Sequence, residues 1–180
     1  HWLKVYEIPD VATAGRGKHI TSLVNLADGE KVAALLSVRE LADQEEDVRV
    51  GRETYAKEGY VILATLKGRI KKTRLSAFSN PMARGIIAMT IQDGDELIAA
   101  KLSTGQDTVL LASRKGMAIR FSESDVRSMG RTAQGVRGMH LGKHDYIIGM
   151  QAVGQNELIL SVTENGFGKK TLVSAYRKQS

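Results

Sequence analysis

The chain has 180 residues, no cysteine and a formal net charge of +6. That length buries a sound single core, and the missing thiols exclude disulfides, thiolate metal sites and cysteine nucleophiles. No apolar run approaches a membrane span and no signal peptide is expected at His1, which together fit a cytoplasmic protein.

In chain order, residues 1–38 read as a partial repeat unit that lacks its opening strand. Leu3-Lys4-Val5-Tyr6-Glu7-Ile8 answers to Thr73 through Phe78, Arg16-Gly17 to Arg84-Gly85, and Asp28-Gly29-Glu30-Lys31-Val32 to Asp93 through Leu97. Residues 39–59 interrupt the pattern with Asp43, Glu45, Glu46 and Asp47, an acidic insertion expected to be exposed and partly helical at Val38 to Ala42. Residues 60–107 form the clearest complete unit. Tyr60-Val61-Ile62-Leu63-Ala64-Thr65 is rich in β-branched residues and nearly all apolar, a strand buried on both faces. Lys67-Gly68 is expected to close a tight turn, where glycine adopts positive φ without a Cβ clash. Arg69 to Leu75 runs back as a hairpin partner. Ser76 to Ala83 is a loop with Asn80-Pro81 as its turn signal. Arg84 to Ile91 is expected to supply a third strand and Glu96 to Ser103 a fourth. Residues 108–157 repeat the unit, and residues 158–180 begin it again with Asn165-Gly166, Lys169-Lys170 and Ser174-Ala175-Tyr176.

Gly68 to Gly116 is 48 residues and Gly116 to Gly166 is 50. A period near 50 built from short apolar runs predicts a radial all-β array, each repeat one small four-stranded antiparallel sheet. Overlaying the repeats exposes a column of cations: Lys72, Arg120 and Lys170 each fall four residues after the turn glycine. Because side chains alternate along a strand, equivalent positions point the same way in successive sheets, and the column predicts an arc of positive charge. Lys71 and Lys169 reinforce it, with Ile119 in the middle copy, and Lys67 and Lys115 add charge at the turn tips. The competing reading is a solvent face whose lysines blunt a sheet edge. The remaining columns read as structural. Ser76, Ser124 and Ser174 suit local hydroxyl-to-backbone bonds, Phe78, Val126 and Tyr176 suit apolar plugs, and Gly85 and Gly135 suit close packing or a bulge.

Charge adds direction. Between Tyr60 and His140 there are 13 Lys and Arg against 6 Asp and Glu. A basic body with one acidic loop favours a polyanionic partner, although a merely cationic soluble surface has the same composition. With three Phe, one Trp and five Tyr, there is no aromatic-rich platform for single strands.

Several motifs together resemble the C-terminal domain of the A subunit of bacterial DNA gyrase. They are Gly-Arg-Ile-Lys-Lys-Thr at 68–73, Asp-Gly-Asp-Glu-Leu at 93–97, Val-Arg-Ser-Met-Gly at 126–130 and Gln-Gly-Val-Arg-Gly at 134–138. Asn-Gly-Phe-Gly-Lys-Lys-Thr at 165–171 and Leu-Lys-Val-Tyr-Glu-Ile-Pro at 3–9 join them. The resemblance implies a β-pinwheel, a propeller-like and here incomplete ring of four-stranded blades that exchange strands with their neighbours. It also implies a basic rim that binds and bends duplex DNA independently of sequence, wrapping it to support negative supercoiling by a type IIA topoisomerase. The implied partners are duplex DNA, the ATPase-bearing B subunit of the holoenzyme, and the remainder of the A subunit, in a bacterial, nucleoid-associated setting. The gyrase signature heptad does not occur, and Ala14-Gly15-Arg16-Gly17-Lys18 is only a distant echo. This places the chain as an internal portion, roughly the second blade into the fifth of about six. A protein-binding propeller and the A subunit of the paralogous topoisomerase IV are the alternatives.

The residues expected to contact phosphates are Lys67, Arg69, Lys71, Lys72, Arg74, Lys115, Arg120, Lys169 and Lys170, with Arg84, Arg131 and Arg137 as second choices. No catalytic residue, metal site or cofactor is expected, the family's cleavage tyrosine and ATPase lying elsewhere. His140 and His144 are four apart, but Gly142 between them disfavours the helix a zinc pair needs. Asp93, Asp95 and Glu96 make an acidic turn without the longer calcium-loop pattern.

Overall fold

The computed structural model describes residues 1–3, 5, 8, 10–38, 59–82, 84–154 and 156–179. Residues 39–58 of the acidic insertion lie outside the described residues, and with them all but Val38 of the helical expectation at Val38 to Ala42. Nine short strands and four 3₁₀ turns make up the described regular structure: β1 (Tyr60–Thr65), β2 (Arg69–Arg74), β3 (Leu97–Ser103), β4 (Thr108–Ser113), β5 (Ala118–Ser122), β6 (Val136–Arg137), β7 (Ile147–Val153), β8 (Leu158–Val162) and β9 (Gly168–Leu172). The all-β expectation holds, and no described helix is long and apolar enough to cross a membrane.

Each repeat opens with a hairpin whose register is set by the turn glycine. Val61 faces Thr73 and Ile62 faces Lys72 across β1 and β2, and Leu110 faces Arg120 across β4 and β5. Gly68, Gly116 and Gly166 hold φ of 81°, 82° and 81°, a region that glycine enters without penalty. The sheets run β3-β1-β2-β6, β5-β4-β7 and β8-β9. Register slips at the same place in the first two, between Ala64 and Thr65 and between Ala112 and Ser113.

One strand assignment is corrected. Arg84 to Ile91 forms no strand in its own sheet; Ile86 instead bridges Trp2 in the N-terminal segment. The equivalent part of the next repeat, β6, leaves its own sheet and pairs antiparallel with β2 of the preceding one. The fourth strand is therefore donated by the following repeat. A strand-like run of apolar residues says nothing about which neighbour accepts its hydrogen bonds. Gly135 makes the transfer possible. Its φ is 76°, and a Cβ there would run into the carbonyl oxygen of Ile70.

Opposite faces of the first sheet bury into different neighbours, which explains the unbroken apolar run of β1. Val61 and Leu63 pack with Phe78 and Ala88 toward Trp2 and Leu36. Ile62, Ala64 and Ile70 pack the other way, against Val109, Leu111, Phe121, Ile147 and Met150 of the second sheet. Each such side chain, fully buried, contributes about 1.5–3 kcal/mol relative to exposure. The first two sheets approach each other chiefly along β3 and β7. Their β2 and β5 edges therefore lie on the outside, where the donated segments cover them.

Candidate nucleic-acid interface

The column of cations is real, but part of it points inward. Lys71 has no exposed surface and Lys72 is only 7% exposed. The Lys71 ammonium donates to the carbonyls of Ala88 and Arg131. Burial, with the nearby Arg131 charge second, lowers its pKa from 10.5 to about 8. Lys72 donates to the carbonyl of Glu123 at 2.9 Å, stands 3.9 Å from that residue's carboxylate, and lies over the Tyr60 ring. Neither ammonium can meet a phosphate without leaving its site. The expected exposure of these two residues is thus corrected. Strand alternation predicts that equivalent side chains point alike, yet not whether the next sheet covers them.

Arg120 shows the same geometry one repeat later. Its Nε donates to Tyr176 O at 2.7 Å and its Nη2 to Ser174 O at 3.1 Å. The backbone repeats the pattern: Met129 N donates to Lys72 O, and Gln179 N donates to Arg120 O. Both cations therefore latch one sheet to the 3₁₀ turn of the next. Arg69 is likewise committed, with Nε to Gln134 O and Nη2 to Gly135 O. Arg131 is half-buried beside Lys71.

The other expected residues are exposed. Lys67 and Lys115 stand at the turn tips, each reaching one carbonyl of its own sheet's second loop, Asp93 O at 3.1 Å and Lys143 O at 2.7 Å. An ammonium has three donors, so each retains capacity for an anion. Arg74, Arg84, Arg137, Lys169 and Lys170 are exposed as well, with Arg137 3.5 Å from His140 Nδ1. In β9 Lys170 stands opposite Leu160, which is 68% exposed.

Two cations passed over in the sequence hold equivalent exposed positions. Arg127 follows Val126 and Arg177 follows Tyr176, each directly after a 3₁₀ turn, at Glu123–Asp125 and Val173–Ala175. They begin the segments that cross onto the outer edge of the preceding sheet. The 50-residue spacing was available as a signal, but the first copy has Ser79 there, so the column appears only across two repeats. Lys143 and Lys178 are exposed on the same loops and segments.

The remaining columns behave as local structure. Phe78 and Val126 are buried plugs, and Tyr176 is half-buried. Ser122 rather than Ser124 caps its turn: its hydroxyl accepts from Ser124 N while the Asp125 carboxylate accepts from Ser122 N. Asp95 Oδ1 accepts from the Lys67 and Glu96 amides, so the acidic turn is a backbone cap. Among the described residues, no group of three or more His, Asp or Glu is placed to hold a metal ion.

Sequence comparison decides the family. The model of the family described as "DNA gyrase C-terminal domain, beta-propeller" matches residues 2–39, 59–104, 107–153 and 157–180. The chain belongs to the DNA gyrase C-terminal domain family. It is 41% identical over 180 residues to the DNA gyrase A protein of Salmonella typhimurium, covering 100% of this chain and 19% of that protein. It is 38% identical over 178 residues to the DNA gyrase A protein of Escherichia coli, again covering 19% of the relative. Among solved structures, a DNA gyrase A C-terminal domain superposes with a TM-score of 0.74 at 28% identity, covering 91% of this chain and 50% of that one. A DNA topoisomerase IV C-terminal domain superposes with a TM-score of 0.76 at 24% identity, covering 96% of this chain and 50% of that one. The gyrase-type domain thus has the β-pinwheel architecture expected from its sequence, and it spans about a fifth of the length of its gyrase A relatives.

Proposed function

We propose that this gyrase-type domain binds duplex DNA without regard to sequence and bends it, as the DNA-wrapping accessory of the gyrase A protein. In this reading it performs no catalysis itself and needs no cofactor. The ATPase-bearing B subunit of the holoenzyme supplies energy, the rest of the A subunit supplies strand cleavage, and their cytoplasmic, nucleoid-associated DNA is the substrate. The observation that carries the reading is the pair Arg127 and Arg177, exposed at equivalent positions of successive repeats where donated segments cover the outer edge. Arg84, Arg137, Lys169 and Lys170 extend that basic surface, and Lys67, Lys115 and Lys143 add charge at the turns.

Such groups neutralise phosphates and release condensed counterions, so affinity falls steeply with salt and carries no base readout. Smooth bending of a 20–30 bp site costs about 1–6 kcal/mol, which phosphate contacts spread over two or more sheets offset and a single patch does not. The test is anisotropy of a fluorescent random-sequence duplex across a salt series, comparing the parent chain with R84E/R127E/R177E. The expected result is a slope several units steep in the parent, about three units shallower in the variant. Equal affinity and slope in both would overturn the assignment of these arginines. Charge reversal at Lys72 is unsuitable for this purpose, because that side chain is buried in a joint.

A further inference from the structure

The covalent link between the first two complete sheets is the short segment from Ser103 to Asp107, between β3 and β4. One buried carboxylate holds it. Glu123 has no exposed surface. Its Oε1 accepts from Ser103 Oγ at 2.7 Å, and its Oε2 accepts from Gly105 N at 3.0 Å and Asp107 N at 3.2 Å. Its backbone N donates to Asp107 O at 2.8 Å. The Lys72 ammonium of the first sheet reaches the same residue through its carbonyl and lies 3.9 Å from its carboxylate. Glu123 thus ties together the first sheet, the linker and the 3₁₀ turn of the second sheet.

The next joint lacks this device. Val173 occupies the place of Glu123 and is buried, and Val153 occupies the place of Ser103. The carboxylate and its hydroxyl donor are replaced together by apolar residues, which marks them as one unit. At the preceding joint the equivalent residue is Leu75. Arg120 still spans the second joint, but it bonds only carbonyls.

A buried carboxylate with four partners is expensive to rearrange, since any change of angle that breaks one bond leaves a desolvated group unpaired. An apolar joint slides at smaller cost. From this we infer that Glu123, with Lys72, is a positioning residue that fixes the angle between the first two complete sheets, and with it the curvature offered to bound DNA. The part concerning curvature rests on the proposed DNA-bending function.

The swap variant K72R/E123V/S103V gives the first joint the residues of the second, with the arginine placed to bond carbonyls of the 3₁₀ turn as Arg120 does. Because the chain contains no cysteine, spin labels can be placed by S76C/M117C across the first joint and M117C/F167C across the second. Without DNA, the swap is expected to broaden or shift the first distance distribution and leave the second unchanged. An unchanged first distribution in a folded swap variant would overturn the positioning role, whatever DNA does. On DNA, a short duplex of about 12 bp is expected to bind parent and swap within twofold. A long, end-labelled duplex is expected to bind the swap about tenfold more weakly and to lose energy transfer between its ends. Identical energy transfer in parent and swap overturns the link to curvature. Failure of the parent to bind either duplex at low salt overturns the DNA-bending reading and the curvature claim with it, while the label distances still decide the role of Glu123 in the joint.

Discussion

The two joints between successive sheets use one backbone scheme and two chemistries. At both, a cation four residues after a turn glycine crosses to the 3₁₀ turn of the next repeat, and a donated segment bridges the same strand. The first joint adds a buried carboxylate and a second buried lysine. At the second, Val173 and Ile119 stand where Glu123 and Lys71 do. The pair teaches that a repeat protein fixes its architecture with backbone and apolar contacts, and adds buried charge where one angle has to be held. Buried polar groups are a poor source of net stability but are costly to break, which suits holding a geometry.

The most severe way to break the comparison is to delete the carboxylate alone. E123A leaves the Lys72 charge without its counter-ion, and the Ser103 hydroxyl and the Gly105 and Asp107 amides without their acceptor. We expect a loss of about 3–5 kcal/mol in urea-induced unfolding. The matching change at the second joint, V173A, removes two methyl groups from a buried site and is expected to cost about 2 kcal/mol. If the two variants lose equal stability, the first joint has no special dependence on charge.

The donated strand offers the next test. G135A places a Cβ against the Ile70 carbonyl at a φ of 76°, and about 2–3 kcal/mol of destabilisation is expected from strain and displacement of β6. G130A, five residues earlier on the same segment, meets nothing within 4 Å and has no positive φ. It should change stability by less than about 0.5 kcal/mol. A mild G135A would mean that the segment is free to shift along β2.

Lys71 gives the comparison a pH signature. Its folded pKa is lowered to about 8, against an ordinary 10.5. Between those values the unfolded chain binds more protons than the folded one, so stability rises with pH across that window. Below about pH 8 the full cost of burying the charge is present. Deprotonation relieves it without loss of the two hydrogen bonds, because a neutral amine keeps two N–H donors. The parent chain should therefore gain on the order of 1–2 kcal/mol between pH 7 and pH 9.5 relative to K71M, measured by urea unfolding at each pH. Parallel curves for parent and variant would remove Lys71 from the account of the first joint.

Much of this was legible in the chain. The hairpins, their positive-φ turns and the apolar plugs follow from Gly68, Gly116, Gly166 and the runs at 60–65 and 108–113, because turn stereochemistry and two-face burial leave local marks. The close approach at Gly85 and Gly135 was also expected. What stayed hidden was relational. Arg84 to Ile91 is apolar like a strand, but the partner that bridges it, Trp2, lies in another repeat. Lys72 and Arg120 align as a rim of exposed charge would, and equally as a series of latches does. A column records recurrence of environment, and only the position of the next sheet says whether that environment is solvent. Glu123 escaped notice because it has no counterpart in the other copies, and a search for repetition passes over a residue whose importance lies in being unrepeated.

The smallest expected effect lies at the turn tips, where the two complete sheets differ by one hydrogen bond. Asp95 and Asp145 occupy equivalent positions, and each caps the amide of its turn lysine, Lys67 or Lys115. In the second sheet the Ser113 hydroxyl also donates to Asp145 Oδ2 at 2.7 Å. In the first, Thr65 stands in the place of Ser113, and its hydroxyl instead accepts from Arg69 N. The Ser113 bond is the leading reason that the Asp145 pKa lies below the usual 3.8; burial opposes it, and the Lys115 and Tyr146 amides and the Lys115 charge each add a smaller lowering. A depressed carboxylate stabilises the fold above its unfolded pKa, and the benefit fades as pH falls through the folded one. S113A should raise the Asp145 pKa toward the ordinary range, seen as a shift of its carboxyl carbon titration by NMR. Unfolding near neutral pH should change little, and the acid limb should move slightly toward higher pH. Charge in the two lysine tips is untouched by the substitution, so duplex affinity at neutral pH should match the parent. A large loss of affinity in S113A would show that the turn conformation itself, and not only its charge, is part of the basic surface.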